Sequence, residues 1–74
     1  MILNDIKIKK VTDEKGNKII KLILSNREAK KIASELNYAV EEANDHEESF
    51  SVQFFLFENP GIKSIIVSVK PDKN

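Results

Sequence analysis

Apolar and polar positions alternate along the first stretch of the chain, residues 2–11. Ile6 and Ile8 fall on one side of an extended chain, and Lys7 and Lys9 fall on the other. A period of two is typical of a β-strand with one face buried and the other in water. The pattern therefore predicts a strand at the start of the protein.

A turn signal separates this strand from a second apolar segment. Residues 13–17 begin with a turn-forming aspartate and contain Gly16, which can take the positive φ that a short hairpin loop needs. The segment that follows, residues 18–24, is rich in isoleucine and leucine. Together these features predict a β-hairpin.

The spacing of apolar residues changes to threes and fours after the hairpin, which is typical of a helix. Ser25 is suited to cap a helix, and Glu28, three positions later, completes a capping box. We expect the helix at residues 27–44, with one apolar stripe. The stripe consists of Ala29, Ile32, Ala33, Leu36, Val40 and Ala43.

Two more strands are expected after the helix. The polar and acidic residues 44–49 are interpreted as the loop that returns the chain to the sheet. Residues 50–58 and 62–70 have the composition of strands. Between them, Asn59-Pro60-Gly61 places proline and glycine where a type II turn requires them.

The order strand, strand, helix, strand, strand predicts a single α+β domain of residues 1–74, in which one helix packs on a four-stranded sheet. Residues 71–74 are expected to form a frayed tail after Pro71. The ββαββ order resembles the β-grasp arrangement of the immunoglobulin-binding domains of bacterial surface proteins, a likeness of topology. A right-handed crossover through the helix makes the third strand parallel to the second, which fits strand order 2-1-4-3 or 1-2-3-4.

The sheet face that the helix does not cover is predicted to be apolar, although a monomer would be expected to have a polar face there. The residues expected to face the helix are Ile20, Leu22, Leu24, Val52, Phe54, Leu56, Ile65, Val67 and Val69. The apolar residues expected on the outer face are Ile19, Ile23, Phe55, Phe57 and Ile66.

Contiguous apolar patches commonly mark protein interfaces, so we expect the outer face to bind a second copy of the chain, which would make the protein a homodimer. A different protein is the alternative partner. A bulged strand, a shifted strand phase or a loop folded over the face would explain the pattern without any partner.

Charge is distributed unevenly, although the net charge is zero. Residues 1–31 contain nine lysine or arginine residues and four acids, whereas residues 32–60 contain seven acids and no lysine or arginine. The predicted helix has bases at its start and acids at its end, the reverse of what its dipole favours. These residues are Arg27, Lys30 and Lys31 at the start and Glu41, Glu42 and Asp45 at the end.

Two antiparallel helices from two copies would pair these charges. That dimer excludes the sheet-face dimer, because the helix covers the opposite face. We favour the sheet face, because exposed ion pairs contribute only about 0–1 kcal/mol each and apolar burial contributes more.

Two other binding functions are suggested by the same asymmetry. A basic surface could bind nucleic acid, although the neutral total charge and the acidic second half oppose it. It would consist of Lys7, Lys9, Lys18, Lys21, Arg27, Lys30 and Lys31. An acidic surface could inhibit a basic or nucleic-acid-binding protein, as small phage and mobile-element inhibitors do. It would consist of Glu35, Glu41, Glu42, Asp45, Glu47 and Glu48.

No catalytic or metal-binding motif stands out in the chain. The single histidine lies in Asp45-His46-Glu47-Glu48, and consecutive loop residues seldom converge on one ion. The serines have no plausible His-Asp arrangement, and two glycines leave no phosphate-binding loop. We therefore expect a protein that is not an enzyme and that needs no cofactor or metal.

The chain contains no cysteine, so it has neither disulfides nor a thiolate metal site. No segment of the sequence has the apolar length of a signal peptide or a membrane span. We therefore expect a cytoplasmic protein without membrane contact.

Overall fold

The computed structural model describes residues 1–57 and 59–72. This part of the chain forms one helix and five strands in two sheets, so the protein belongs to the α+β class. The elements in chain order are β1 (Ile2–Leu3), β2 (Ile6–Thr12), β3 (Lys18–Leu24), α1 (Asn26–His46), β4 (Phe50–Leu56) and β5 (Ser64–Val69).

A bend at Asn4 and Asp5 divides the first predicted strand into β1 and β2. Before the bend, β1 pairs in parallel with β4. After the bend, β2 pairs with β3 in an antiparallel hairpin. Because β4 also pairs antiparallel with β5, the larger sheet has the order β1-β4-β5, and the hairpin forms a separate two-stranded sheet.

The structure does not confirm the single four-stranded sheet or the β-grasp order. The start of the chain lies beside the first strand after the helix, and neither 2-1-4-3 nor 1-2-3-4 contains this pair of neighbours. The bend explains the difference. It lets β1 pair with β4, whereas β2, the rest of the predicted strand, pairs with β3 in a separate sheet.

The core lies between α1 and the inner face of the larger sheet. Its buried residues are Leu3, Ile6, Ala39, Val52, Phe54 and Leu56. The three from β4 were predicted to face the helix. The inward positions predicted for the last strand also pack against this cluster; they are Ile65, Val67 and Val69.

The helix begins one residue earlier and ends two residues later than predicted. The backbone N–H of Glu28 donates a hydrogen bond to Ser25 Oγ at 3.1 Å, which confirms the predicted N-cap. The Glu28 side chain is buried, and its Oε1 accepts a hydrogen bond from Lys31 Nζ at 3.3 Å. Its Oε2 has no hydrogen-bond partner among the described residues, so the second half of the capping box is not formed.

The buried stripe of α1 is rotated from the predicted one. Ala39, which was not in the predicted stripe, is fully buried, as is Ala43. Three predicted stripe positions are exposed instead, namely Ala29, Ala33 and Val40. Exposing an alanine leaves only a methyl group in water, so alanines do little to determine which way a helix faces.

The β2–β3 hairpin extends away from the rest of the protein. Among the described residues, those of the hairpin that pack against the core are Ile6, Ile8 and Leu24, all at its base. Ile20 and Leu22 were expected to face the helix, but they are 68% and 46% exposed. They are uncovered because α1 packs over the other sheet.

The overall dimensions agree with an extending hairpin. The radius of gyration is 14.6 Å, whereas a compact domain of this length would have about 11 Å.

Both glycines have the positive φ that the predicted turns require. Gly16 has a φ of 83° and Gly61 a φ of 88°. The connection between β4 and β5 is longer than predicted and is closed by a hydrogen bond from Leu56 N to Lys63 O at 2.9 Å. The predicted end of the third strand at Glu58 lies outside the described residues.

The predicted frayed tail is held by the helix as far as the structure describes it. The backbone N–H of Asp72 donates to Asn44 Oδ1 at 2.8 Å. Residues 73–74 of the predicted tail lie outside the described residues.

Candidate interaction surface

The face of the larger sheet opposite α1 exposes several large apolar side chains. Phe55 of β4 and Ile66 of β5 are 48% and 61% exposed. The strand register places Ile2 of β1 opposite Phe55, and Ile2 is also exposed. Sequence reasoning missed Ile2 because nothing in a two-residue strand indicates that it pairs with β4.

The polar side chains on the same face pair with each other. Ser51 Oγ and Ser68 Oγ lie 2.7 Å apart, and Gln53 Nε2 donates to Ser64 Oγ at 3.1 Å. These cross-strand pairs satisfy part of the hydrogen-bonding capacity of the face. A partner would therefore gain mainly by covering the apolar side chains.

A cleft of about 530 Å³ joins this face to the hairpin. Its lining includes Phe57, just after β4, and Ile23 of β3, together with Lys7 and Lys9 of β2. Lys9 lies opposite Lys21, so Lys21 shares the hairpin face of Lys7 and Ile23. We call Lys7, Lys9 and Lys21 the basic cluster.

All five residues predicted for the interface are exposed, but they lie on two sheets. Phe55 and Ile66 are on the larger sheet. Phe57 and Ile23 both line the cleft. Ile19 lies farther along the hairpin, opposite Val11, on the same hairpin face as the basic cluster.

The basic cluster forms no salt bridge in the described part of the chain, although Asp5 lines the same cleft. The salt bridges there join Lys31 to Glu28 and His46 to Glu42, and neither reaches the hairpin. Like charges placed directly opposite each other on two strands are destabilising, so the Lys9–Lys21 pair would gain from an added carboxylate.

The seven residues predicted for nucleic-acid binding do not share one surface. Lys18 lies opposite Thr12, on the hairpin face that does not carry the basic cluster. Arg27 and Lys30 are exposed in the first turns of α1, and Lys31 is bonded to Glu28.

The six residues predicted for an acidic surface are also divided. Glu35 and Glu42 are half-buried, whereas Glu41 and Asp45 are exposed on α1. The remaining two, Glu47 and Glu48, are exposed in the short loop between α1 and β4. Glu47 ends the helix in a left-handed conformation, with a φ of 54°. We call Glu47 and Glu48 the acidic loop.

Tyr38 packs on the sheet beside two of the helix acids. Its ring meets the ring of Phe50 edge-on, with centroids 5.7 Å apart. The negative charge of Glu42 raises the pKa of Tyr38, and burial and the charge of Glu35 add to the effect. These contacts indicate a packing role for Tyr38.

His46 lies in the last turn of α1, not in the loop where it was expected. Its Nε2 is 3.1 Å from Glu42 Oε2, one helical turn earlier. Within residues 1–57 and 59–72, no group of three or more histidine or acidic side chains is placed to hold a metal ion.

The one helix of the described residues, α1, lacks an apolar stretch long enough to cross a membrane.

No family model, curated protein or solved structure matches the chain. Its function is therefore inferred from the surfaces described above.

Proposed function

We propose that the protein is a non-enzymatic interaction module that acts as a homodimer through the sheet face opposite α1. The observation that carries the proposal is the exposure of Phe55, Phe57 and Ile66, joined by Ile2, on and beside this face. Full burial of a large apolar side chain contributes about 1.5–3 kcal/mol, more than an exposed ion pair does.

The small size of the chain supports association. A domain of this size buries only about 60–65% of the surface that its unfolded chain exposes, so its stability margin is narrow. Binding a second copy stabilises the folded state by mass action. The absence of cysteine supports a reducing compartment, and we include the cytoplasm in the proposal.

The variant Phe55→Glu tests the sheet-face dimer. We expect light scattering to give twice the 8.4 kDa chain mass for the wild-type protein. The variant should be a monomer, because a carboxylate loses its hydration when it is buried against apolar side chains. Phe55 is half exposed in the single chain, so the variant should keep its fold, as circular dichroism would show.

Ala33→Glu is the matched control, because it adds the same charge at an exposed position of α1. It should leave the dimer intact. A wild-type protein that is monomeric at every concentration, or a dimer that Phe55→Glu leaves unchanged, would reject the sheet-face dimer.

Nucleic-acid binding is a second candidate function, favoured by the composition of the cleft. Lys7, Lys9 and Phe57 line the same cleft. Lysines can contact the phosphates of single-stranded nucleic acid, and an exposed aromatic ring can stack on its bases. Fluorescence anisotropy with a labelled single-stranded oligonucleotide tests it. Binding that weakens with salt and with Lys9→Glu would support this function, and no binding at low salt would remove it.

A further inference from the structure

Surfaces of opposite charge stand at the two ends of β4. The acidic loop is separated only by Ser49 from Phe50, the first residue of the strand. The basic cluster lies beyond the other end, where Lys7 and Lys9 share the cleft with Phe57. The salt bridges of the described residues involve neither surface, and the one acidic side chain in the lining of the cleft is Asp5.

A dimer formed by two such sheet faces can take two simple twofold arrangements. An axis parallel to the strands keeps the two β4 strands parallel and places each basic cluster over the other basic cluster. An axis perpendicular to the strands makes them antiparallel and places each basic cluster over the acidic loop of the other copy. Coulomb repulsion opposes the first arrangement, and attraction favours the second.

We infer that the protein forms an antiparallel, face-to-face dimer in which the acidic loop of each copy contacts the basic cluster of the other. This inference rests on the proposed function, because it assumes that the sheet faces meet. It assigns a role to the charge asymmetry: the apolar side chains stabilise the dimer, and the charges select its orientation.

The positions along β4 fit this arrangement. A twofold axis that passes near Gln53 places Ser49, four residues before it, over Phe57, four residues after it. Glu48 adjoins Ser49, and Phe57 lines the cleft that contains Lys7 and Lys9. The same axis lies close to Ile66, which pairs with Gln53, so the apolar side chains would be near the centre of the interface.

Two charge-reversed double variants test the orientation. Lys9→Glu with Lys21→Glu reverses two of the three charges of the basic cluster, and Glu47→Lys with Glu48→Lys reverses both charges of the acidic loop. All four side chains are exposed in the single chain, so the fold should tolerate the changes. In each variant alone, both contacts of the dimer would join like charges, and we expect dimerisation to weaken by about ten- to a hundredfold.

An equal mixture of the two variants provides the decisive measurement. In the mixed dimer every contact again joins opposite charges, so the heterodimer should recover the wild-type dissociation constant. With one variant labelled with ¹⁵N, native mass spectrometry separates the heterodimer from the two homodimers by mass. Lys9→Glu alone offers a second test, because it places opposite charges across the hairpin at Lys21 and should favour hairpin folding while weakening the dimer.

Lys30→Glu and Glu41→Lys are the matched controls. Both residues are exposed on α1, and these changes would affect a dimer of antiparallel helices without touching the sheet face. We expect no change in dimerisation from either control. Weakening by the controls, or failure of the mixture to recover the heterodimer, would overturn the antiparallel face-to-face dimer.

The outcomes also separate this inference from the proposed function. A monomeric wild-type protein would reject both. A dimer that Phe55→Glu disrupts but that the charge-reversed variants leave unchanged would reject only the antiparallel orientation.

Discussion

The carboxylate of Asp13 holds the hairpin turn through three hydrogen bonds. Its Oδ1 accepts from the backbone N–H groups of Lys15 at 2.9 Å and Asn17 at 2.8 Å. Its Oδ2 accepts from Asn17 Nδ2 at 3.1 Å. The bonds from Asn17, with a smaller contribution from Lys15, lower the pKa of Asp13 from its ordinary value of 3.8.

This lowered pKa predicts a pH-dependent contribution to stability. Because the carboxylate is favoured in the folded state, its contribution is present above about pH 4 and is lost as the pH falls through the lower folded-state pKa. We expect Asp13→Ala to lower the thermal unfolding midpoint at pH 7. The difference from the wild-type protein should shrink below about pH 4.

Glu14→Ala is the control for the Asp13 prediction, because Glu14 is exposed in the same turn and accepts none of these hydrogen bonds. Its midpoint should follow that of the wild-type protein across the pH range. A difference between Asp13→Ala and wild type that stays constant down to pH 2 would contradict the assigned role of the carboxylate.

Individual residues also show where sequence reasoning succeeds. The turn at Asp13 and Gly16 could be predicted because all of its hydrogen bonds and its positive φ arise within one short segment. Ile2 could not be predicted as part of the outer face, because its position depends on Phe55, far along the chain.

At the scale of the element, the start of α1 depends on neighbouring residues, whereas the direction that α1 faces depends on distant ones. Its start depends on Ser25, which precedes the first turn and bonds to the backbone of Glu28. The direction in which the helix faces depends on the sheet beneath it. Of the alanines in the predicted stripe, Ala43 is buried but Ala29 and Ala33 are exposed, and Ala39 is buried instead.

The cap predicts a measurable loss when Ser25 is replaced. We expect Ser25→Ala to lower the free energy of unfolding by about 0.5–2 kcal/mol, because the backbone N–H of Glu28 loses its acceptor. Urea unfolding followed by circular dichroism measures the change. Ser34→Ala, at an exposed position inside α1, should have little effect, and an equal loss in both variants would argue against a specific role of the cap.

Strand pairing was the part of the fold that sequence patterns could not supply. Alternation located the strands well, because it reflects one buried face in each of them. Which strand becomes the neighbour of another depends on contacts between distant segments. Here the bend at Asn4 and Asp5 decided the outcome, and nothing in the alternating pattern signals that bend.

At the scale of the whole molecule, the two sheets have unequal support. The larger sheet is covered by α1, whereas the hairpin packs on the core only at its base among the described residues. An isolated two-stranded hairpin is marginally stable in water. We therefore expect the outer part of the hairpin, residues 9–22, to be the least stable region of the described strands in the single chain.

Hydrogen exchange detects this difference. In dilute protein, backbone amides of residues 9–22 should exchange faster than those of β4 and β5. If the proposed dimer forms, the protection of the amides near Lys9 and Lys21 should rise at high protein concentration, because the acidic loop of the second copy would contact these residues. Equal protection of both sheets in dilute protein would contradict the predicted difference in stability.

At the scale of the whole molecule, the sequence predicts only part of the candidate surface. Exposure of Phe55 and Ile66 was expected from alternation along their strands. Ile23 and Phe57 line one cleft because of the way the bend orients the hairpin. The sequence pattern does not indicate that orientation.

The shallow attachment of the hairpin separates the core of the protein from the segment that contains Lys9 and Lys21 of the basic cluster. Ile6, Ile8 and Leu24 anchor the hairpin to the core, and the residues between Ile8 and Leu24 are almost all exposed. Substitutions along that stretch leave the core packing intact. The distal hairpin is therefore a natural graft position, where a different sequence could redirect the choice of partner while the scaffold stays the same.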